Sequence, residues 1–381
     1  MPHAMNVRPI PSRPESGAGR DRPTAVVYCE ANFGLADGKT ANGLVRHSER
    51  YEILSVIDSS QAGGDSGELL GDGPNGIPVV TDLAAAVRLR GSPPDFLIFG
   101  VAPTSGMLSG DERGVLLDAM AQGVSIVNGL HEFLNEDPEF AAAALANGVT
   151  ILDVRRPRAK KDLRMFSGRI EEVTCPRIAV LGTDGAIGKR TTATILTQAL
   201  NQRGISAVLV GTGQTGIIQG ARYGVALDAV PCQFCSGEME AAVVEAFEGE
   251  HPDVIVIEGQ GALSHPAYLS STFILRGSRP DAVILQHAPA RRKLGDFADV
   301  PTPDPKSEIN LIETFADTRV IGLTINHENM SDAEVTAAII RYELELGIPA
   351  TDALTRSTDR LVEMVVHAFP ELGQEPVARA S

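Results

Sequence analysis

With 381 residues, 43% of them apolar, and a formal charge of −16, the chain has room for two α/β-type domains with ordinary cores. Its acidic balance repels nucleic acid and anionic membrane surfaces, so neither is expected as a partner, and an anionic ligand must be held by a local basic site. No apolar run approaches the ~20 residues of a membrane span, and the four scattered cysteines, Cys29, Cys175, Cys232 and Cys235, form no disulfide framework, so a cytoplasmic home is expected.

In chain order, residues 1–23 are rich in Pro, Arg, Ser and Gly and lack a hydrophobic h-region, which predicts a disordered tail and no secretory signal. Short β-branched runs then alternate with helical stretches. Residues 24–30, 51–58, 77–80, 95–101, 124–128 and 149–154 read as buried parallel strands. Residues 82–90 and 112–123 read as helices, the second stopped by Gly123. This rhythm predicts a Rossmann-like domain over 24–154. The first strand is not followed by G-x-G-x-x-G, so no dinucleotide site is expected, and Asp58 at the end of the second strand reads as scaffold.

A basic linker follows over 155–174, holding Arg155, Arg156, Arg158, Lys160, Lys161 and Arg164. It reads either as a solvated run or as cations lining a cleft for a polyanion. The strand–helix rhythm then restarts and predicts a P-loop NTPase-like, doubly wound domain over 175–375. Strands are expected at 176–182, 206–213, 253–259, 281–286 and 319–326, and helices at 188–204, 237–249 and 331–347. The single C-x-x-C pair, Cys232 and Cys235, lacks the second pair or histidines of a zinc site. It reads as buried or half-buried thiols beside a loop.

Four strand ends in this half carry chemistry. The stretch "GTDGAIGK" has Gly182, Gly188 and Lys189 in G-x-x-x-x-G-K spacing between a strand and a helix, where backbone N–H groups, a helix N-terminus and a lysine together grip phosphate. Thr183, Asp184 and Gly185 complete the loop. Arg190 stands where a magnesium-holding hydroxyl is usual, with Thr191 and Thr192 after it. One residue turns a helical side chain by about 100°, so Thr191 does not simply substitute, whereas a guanidinium grips phosphate without metal.

Glu258 closes a buried strand, with Gln260, Ser264 and His265 on the loop beyond it. Gln214 and Thr215 follow the strand over 206–213, and His287 follows the strand over 281–286, with Arg291 and Arg292 just after. All belong at the carboxyl edge, where open α/β sheets bind ligands.

These stretches resemble the D-glutamate N-acetyltransferase (DgcN-like) family, on "GTDGAIGKRTT", "GTGQTGIIQG", "EGQGALSHPAY" and "PDAVILQHAPAR", and in the first half on "IDSSQAGGDSG", "GIPVV", "IVNGLHEFL" and "DVRRP". The chain departs from the family's pattern at Gly185 and at Cys232 and Cys235. The resemblance implies acetyl transfer from acetyl-CoA to the amine of D-glutamate or a related D-amino acid, a step in D-amino-acid catabolism. It implies small-molecule partners only.

On that reading Gly182–Lys189, Arg190, Thr191 and Thr192 hold CoA phosphates, and Glu258, His265 and His287 are candidates for the base that deprotonates the amine. Gln214, Thr215, Gln260 and Arg291 would contact the amino acid, and the Gly-rich loops at 211–216 and 259–261 would supply N–H donors. A fainter likeness to dethiobiotin synthetase, in "GTD…GK" and an "EG" strand end, implies ATP and Mg²⁺ instead, but those enzymes keep threonine directly after the lysine. A homo-oligomer is expected only from the habit of metabolic enzymes of this size.

Overall fold

The computed structural model describes residues 22–35, 37–103 and 105–373. All but the last two residues of the expected tail lie outside them. The chain divides into two compact units, the first running to residue 128 and resuming over 134–152, the second made of 129–133 and everything from 153 onward. Among the described residues no helix is long and apolar enough to cross a membrane.

In the first unit, β1 (Thr24–Tyr28), β2 (Glu52–Ile57), β3 (Val79–Val80), β4 (Phe96–Phe99), β5 (Ser125–Asn128) and β6 (Ile151–Asp153) form one sheet in the order β3-β2-β1-β4-β5-β6. This is the strand order of a dinucleotide-binding Rossmann sheet. Among the described residues, five α-helices accompany it: α1 (Lys39–Arg46), α2 (Ser66–Leu69), α3 (Leu83–Arg90), α4 (Gly110–Ala121) and α5 (Pro138–Asn147). Local chemistry sets their ends. Asp82 caps α3 by accepting from Ala85 N, Ser109 and Glu112 form a capping box on α4, and Gly91 and Gly148 close α3 and α5 in the left-handed conformation. The buried Asp58 accepts from Phe33 N, Ser60 N and Ser60 Oγ at 3.1, 3.0 and 2.6 Å. Its carboxylate holds the loops around it, as scaffold does.

The second unit contains β7 (Arg177–Gly182), β8 (Ala207–Gly211), β9 (Tyr223–Gly224), β10 (Val254–Glu258), β11 (Ala282–His287), a separate antiparallel ribbon of β12 (Lys293–Leu294) and β13 (Phe297–Pro301), then β14 (Arg319–Ile325) and β15 (Ala350–Thr351). Its main sheet is parallel, in the order β15-β14-β11-β7-β10-β8-β9. The helices are α6 (Lys189–Gln202), α7 (Gln214–Gln219), α8 (Cys232–Glu250), α9 (Ser270–Ser278), α10 (Pro305–Phe315), α11 (Asp332–Leu346) and α12 (Asp359–Ala368).

Successive residues of β7 feed opposite cores. Ala179 and Leu181 join the cluster under α8, α9 and α11, whereas Ile178 and Val180 join the one under α6 and α12. Burial on both faces explains the unbroken apolar runs of β7, β10 and β11. It also puts the loop after β7 at the middle of the carboxyl edge, with β10 and β11 on either side.

Two local expectations change. The Gly-rich stretch after β8 folds into α7 instead of staying a loop. Helix α8 starts five residues earlier than its composition suggested, at Cys232, so both thiols lie on its first turn. Cys232 is exposed there, while Cys235 is buried and its Sγ donates to Val230 O at 3.3 Å.

The basic linker lies along α8. Arg164 donates to Glu238 from its backbone N–H and guanidinium and to Glu245 at 2.5 Å, and Arg158 ion-pairs with the same two acids. A Cβ on Gly237 would lie 2.2 Å from Arg164 O, so only glycine admits this approach. Lys160 and Lys161 remain exposed, while Arg155 turns inward to Gly129 O and Asp228.

Candidate active site

The P-loop emerges from β7 and enters α6 through Gly188, whose φ of +98° suits glycine. As a glycine, Gly188 brings no side-chain cap to the start of α6, where first-turn N–H groups and the helix dipole favour an anion. Neighbouring strand ends hold the loop in shape. Thr183 N donates to Gln286 O at 3.1 Å, and Asn326 Nδ2 donates to Ile187 O at 3.1 Å. Gln286 Oε1 accepts from Thr192 Oγ1 and Thr324 Oγ1, tying α6 to β11 and β14. Thr192 is thereby engaged in packing, and Thr191 sits half-buried beside it. The buried Lys189 reaches back and donates from Nζ to Asp184 O of its own loop.

Asp184 is the loop's internal anchor. Its Oδ1 accepts from Gly185 N, and its Oδ2 accepts from Gly295 N at 2.9 Å and Arg291 Nη1 at 2.8 Å. Arg291 also donates to Gly185 O and, in a two-pronged pair, to both oxygens of Glu328 at 2.7 and 2.8 Å. Four of its five N–H donors are therefore engaged within the protein, which makes it a brace for the loop. The structure thus offers no support for the substrate-carboxylate contact expected of Arg291 from sequence.

Beside the P-loop lies Glu258, at the end of β10. Its Oε2 accepts from Thr212 N at 3.0 Å, and Gly213 N also serves the carboxyl, so these two N–H groups of the 211–216 stretch are already engaged. Burial pushes its pKa up, opposed by the Arg190 charge, by the two backbone N–H groups and by Lys189. A Cβ on Gly216 would fall 2.4 Å from Glu258 Oε2, so this turn of α7 needs glycine to let the carboxyl in. Gln260 Nε2 donates to Thr212 Oγ1, which donates onward to Glu258 O. Gln214 is buried in the first turn of α7 and Thr215 is half-buried next to it.

The two predicted histidines differ in kind. His287 Nδ1 pairs with Thr183 Oγ1 at 2.8 Å, its ring edge meets Tyr342, and burial pulls its pKa down to about 4. His265 is also buried, stacked on Tyr268 at 4.3 Å between ring centroids. Burial lowers its pKa too, against the pull of Asp184 and Asp296.

Comparison with known proteins fits this division of the chain. The family model described as the domain of unknown function DUF1611_C, P-loop domain, matches residues 164–362, and its DUF1611_N Rossmann-like counterpart matches 59–157. The chain belongs to the DUF1611 family. It is 34% identical over 274 residues to a D-glutamate N-acetyltransferase of Tritonibacter scottomollicae, covering 70% of this chain and 80% of that one. It is 30% identical over 271 residues to a D-glutamate N-acetyltransferase of a Pseudoalteromonas species, covering 70% and 79%. The crystal structure of a DUF1611 family protein from Anabaena variabilis superposes with a TM-score of 0.83 at 33% identity, covering 91% of this chain and 100% of that chain.

Several residues that shape this DUF1611 site escape a reading by motif. The end of β14 supplies Asn326 to the P-loop and, two residues on, Glu328 to Arg291. Between them His327 pairs through Nδ1 with the buried Asp352 at 2.6 Å. The rule that singled out the ends of β10 and β11 applied equally to "INHEN", which was the available signal. The β12–β13 ribbon had one too, a Gly-Asp step between Leu294 and Phe297.

Arg291→Ala would leave Asp184, 1% exposed, without its cation. A loss of about 3 kcal/mol is expected, read as a lowered Tm in a thermal melt. A melt superposable on wild type would show that the brace carries no load.

Proposed function

We propose that this DUF1611 chain is an N-acetyltransferase that moves the acetyl group of acetyl-CoA to the amine of D-glutamate or a related D-amino acid. The likeness to two named D-glutamate N-acetyltransferases over 70% of the chain carries this reading. The site's chemistry supports it. CoA bears a pyrophosphate and a further phosphate, and the start of α6 behind Gly188, with the cationic Lys189 and Arg190, suits such an anion. Arg190 brings a guanidinium to the place of a magnesium-binding hydroxyl, a change that favours holding phosphate over hydrolysing it.

The amine must shed a proton as its nitrogen bonds to the acetyl carbon. The carbon–sulfur bond then breaks and the sulfur leaves as thiolate, to be protonated. Glu258 is our choice for the group that takes the amine proton. It is a buried carboxyl whose raised pKa makes it a stronger base than an exposed glutamate. Gln260, Gln214 and Thr215 flank it and are assigned to the amino acid. His287, held by Thr183 and far below the ordinary histidine pKa, is assigned to supporting the P-loop.

The test is thiol release from acetyl-CoA across a panel of D- and L-amino acids, in the presence of EDTA. Thiol release with D-glutamate or a close relative is expected. No release with any amine, together with Mg²⁺-dependent consumption of ATP in a parallel assay without EDTA, would replace this reading with a ligase or kinase of the dethiobiotin synthetase kind.

A further inference from the structure

We infer that His265 serves the transfer as a fixed hydrogen-bond donor, presenting Nε2–H to the oxygen of the acyl group, and that it is not the base. The inference rests on the acetyl-transfer reading above. It begins with how firmly the segment is held. Glu308 of α10, itself buried, accepts from Leu263 N, Ser264 N and Ser264 Oγ, and Ser271 Oγ donates to Gly261 O at 2.6 Å. On this frame His265 Nδ1 accepts from two backbone donors, Ala267 N and Tyr268 N, each at 3.2 Å.

A nitrogen that accepts two N–H groups has no place for a proton, so the neutral ring carries its hydrogen on Nε2. The ring cannot turn freely. It is stacked on Tyr268, whose hydroxyl donates to Asp296 Oδ2 at 2.7 Å, and Phe297 of the ribbon leans on it at 5.7 Å.

With its orientation and tautomer set, Nε2 is buried and has no hydrogen-bond partner among the described residues. Folded proteins seldom leave a buried donor unmatched. Asp184 and Lys189 of the P-loop region and Asp296 of the ribbon act electrostatically on the ring, and Asp296 holds the hydroxyl of Tyr268, on which the ring stacks. They place this donor among the residues of the site. The two carboxylates disfavour a phosphate there, whereas a carbonyl oxygen is neutral until the transition state draws charge onto it. Charging the ring would require a proton at Nδ1, against Ala267 N–H and Tyr268 N–H. Burial and Lys189 act in the same direction, opposed by Asp184 and Asp296.

The experiment combines nitrogen-15 NMR of the imidazole, with and without an acyl-CoA analogue bearing a ketone in place of the thioester, with kinetics of His265→Gln and His265→Ala. Above the ordinary imidazole value, about 6.5, the ring is expected to stay neutral and protonated at Nε2, and the Nε2–H resonance to move downfield on adding the analogue. His265→Ala should lower kcat about 100-fold with little change in the KM for acetyl-CoA. Gln, whose amide N–H can stand in for Nε2–H, should recover roughly tenfold of that loss.

An active wild type whose His265 titrates together with kcat overturns the inference alone. So does a folded Gln variant as slow as the Ala variant, or a ring resonance indifferent to the analogue. A wild type that releases no thiol overturns the acetyl-transfer reading, and this inference with it.

Discussion

Lys189→Ala is expected to raise the KM for acetyl-CoA by roughly 10- to 100-fold, the worth of about 1.5–3 kcal/mol for a charge-assisted hydrogen bond to phosphate. On the proposed reading the ammonium would hold phosphates that take no part in bond making, so the kcat at saturating acetyl-CoA and the KM for the amino acid should change little. In the free protein Nζ donates to Asp184 O, so ligand binding exchanges one partner for another and the measured effect is a net one. Lys189→Arg keeps the charge but not the compact reach, and should fall between. Thiol-release kinetics with each substrate varied in turn read the split. An increase confined to the amino-acid KM would mean that the loop holds something other than CoA.

Glu258→Gln is expected to lower kcat by about 10²–10⁴, the usual contribution of a positioned base, while leaving the KM for acetyl-CoA near wild type. The amide oxygen can still accept from Thr212 N, so the fold has little reason to change. Stability should move the other way. Burial raises the pKa of Glu258 in the folded chain. Between the ordinary glutamate value, ~4.3, and that raised value, the folded chain keeps a proton the unfolded chain has released. Wild-type stability therefore falls as pH rises through this window. Glutamine carries no charge at any pH, so the variant's Tm should exceed wild type by a margin that opens above this lower limit and widens with pH. If Glu258 is the base, the ionised carboxylate would be the working form, and kcat/KM in wild type should climb on an acid limb that the variant lacks. Unchanged turnover in a folded Glu258→Gln would reduce Glu258 to a structural acid.

The parts of this molecule that could be read from sequence are those whose physics is local. Strands β7, β10 and β11 are buried on both faces, so they appear as solid apolar runs. The phosphate loop announces itself because its glycines, its lysine and the start of α6 are neighbours in the chain. Two-residue strands such as β9 and β15 exist only through their pairing with β8 and β14 and leave almost no mark. The same holds for the groups that give the site its shape. Asn326 meets Ile187 across 139 positions of sequence, and Arg291 meets Asp184 across 107. Arg291 was visible as a cation beside a strand end. That its charge is shared between a loop aspartate and Glu328 depends on where β14 lies in the sheet. His265 was visible too, but its tautomer follows from two backbone N–H groups that only a folded turn brings to Nδ1.

The assignment of residues 129–133 to the second unit has a consequence for how the protein can be dissected. A gene fragment cut at the last change of unit, starting at Asp153, would encode almost all of the P-loop unit yet omit five of its own residues. Among them is Gly129, whose carbonyl accepts from Arg155 Nε at 2.6 Å and whose missing side chain leaves room for Gln214 at the head of α7. Such a fragment would keep the P-loop sequence and lose a contact behind one of the site's side chains. Two-part expression, or a circularly permuted chain that carries 129–133 along, would be needed before the isolated unit could represent its counterpart in the whole protein.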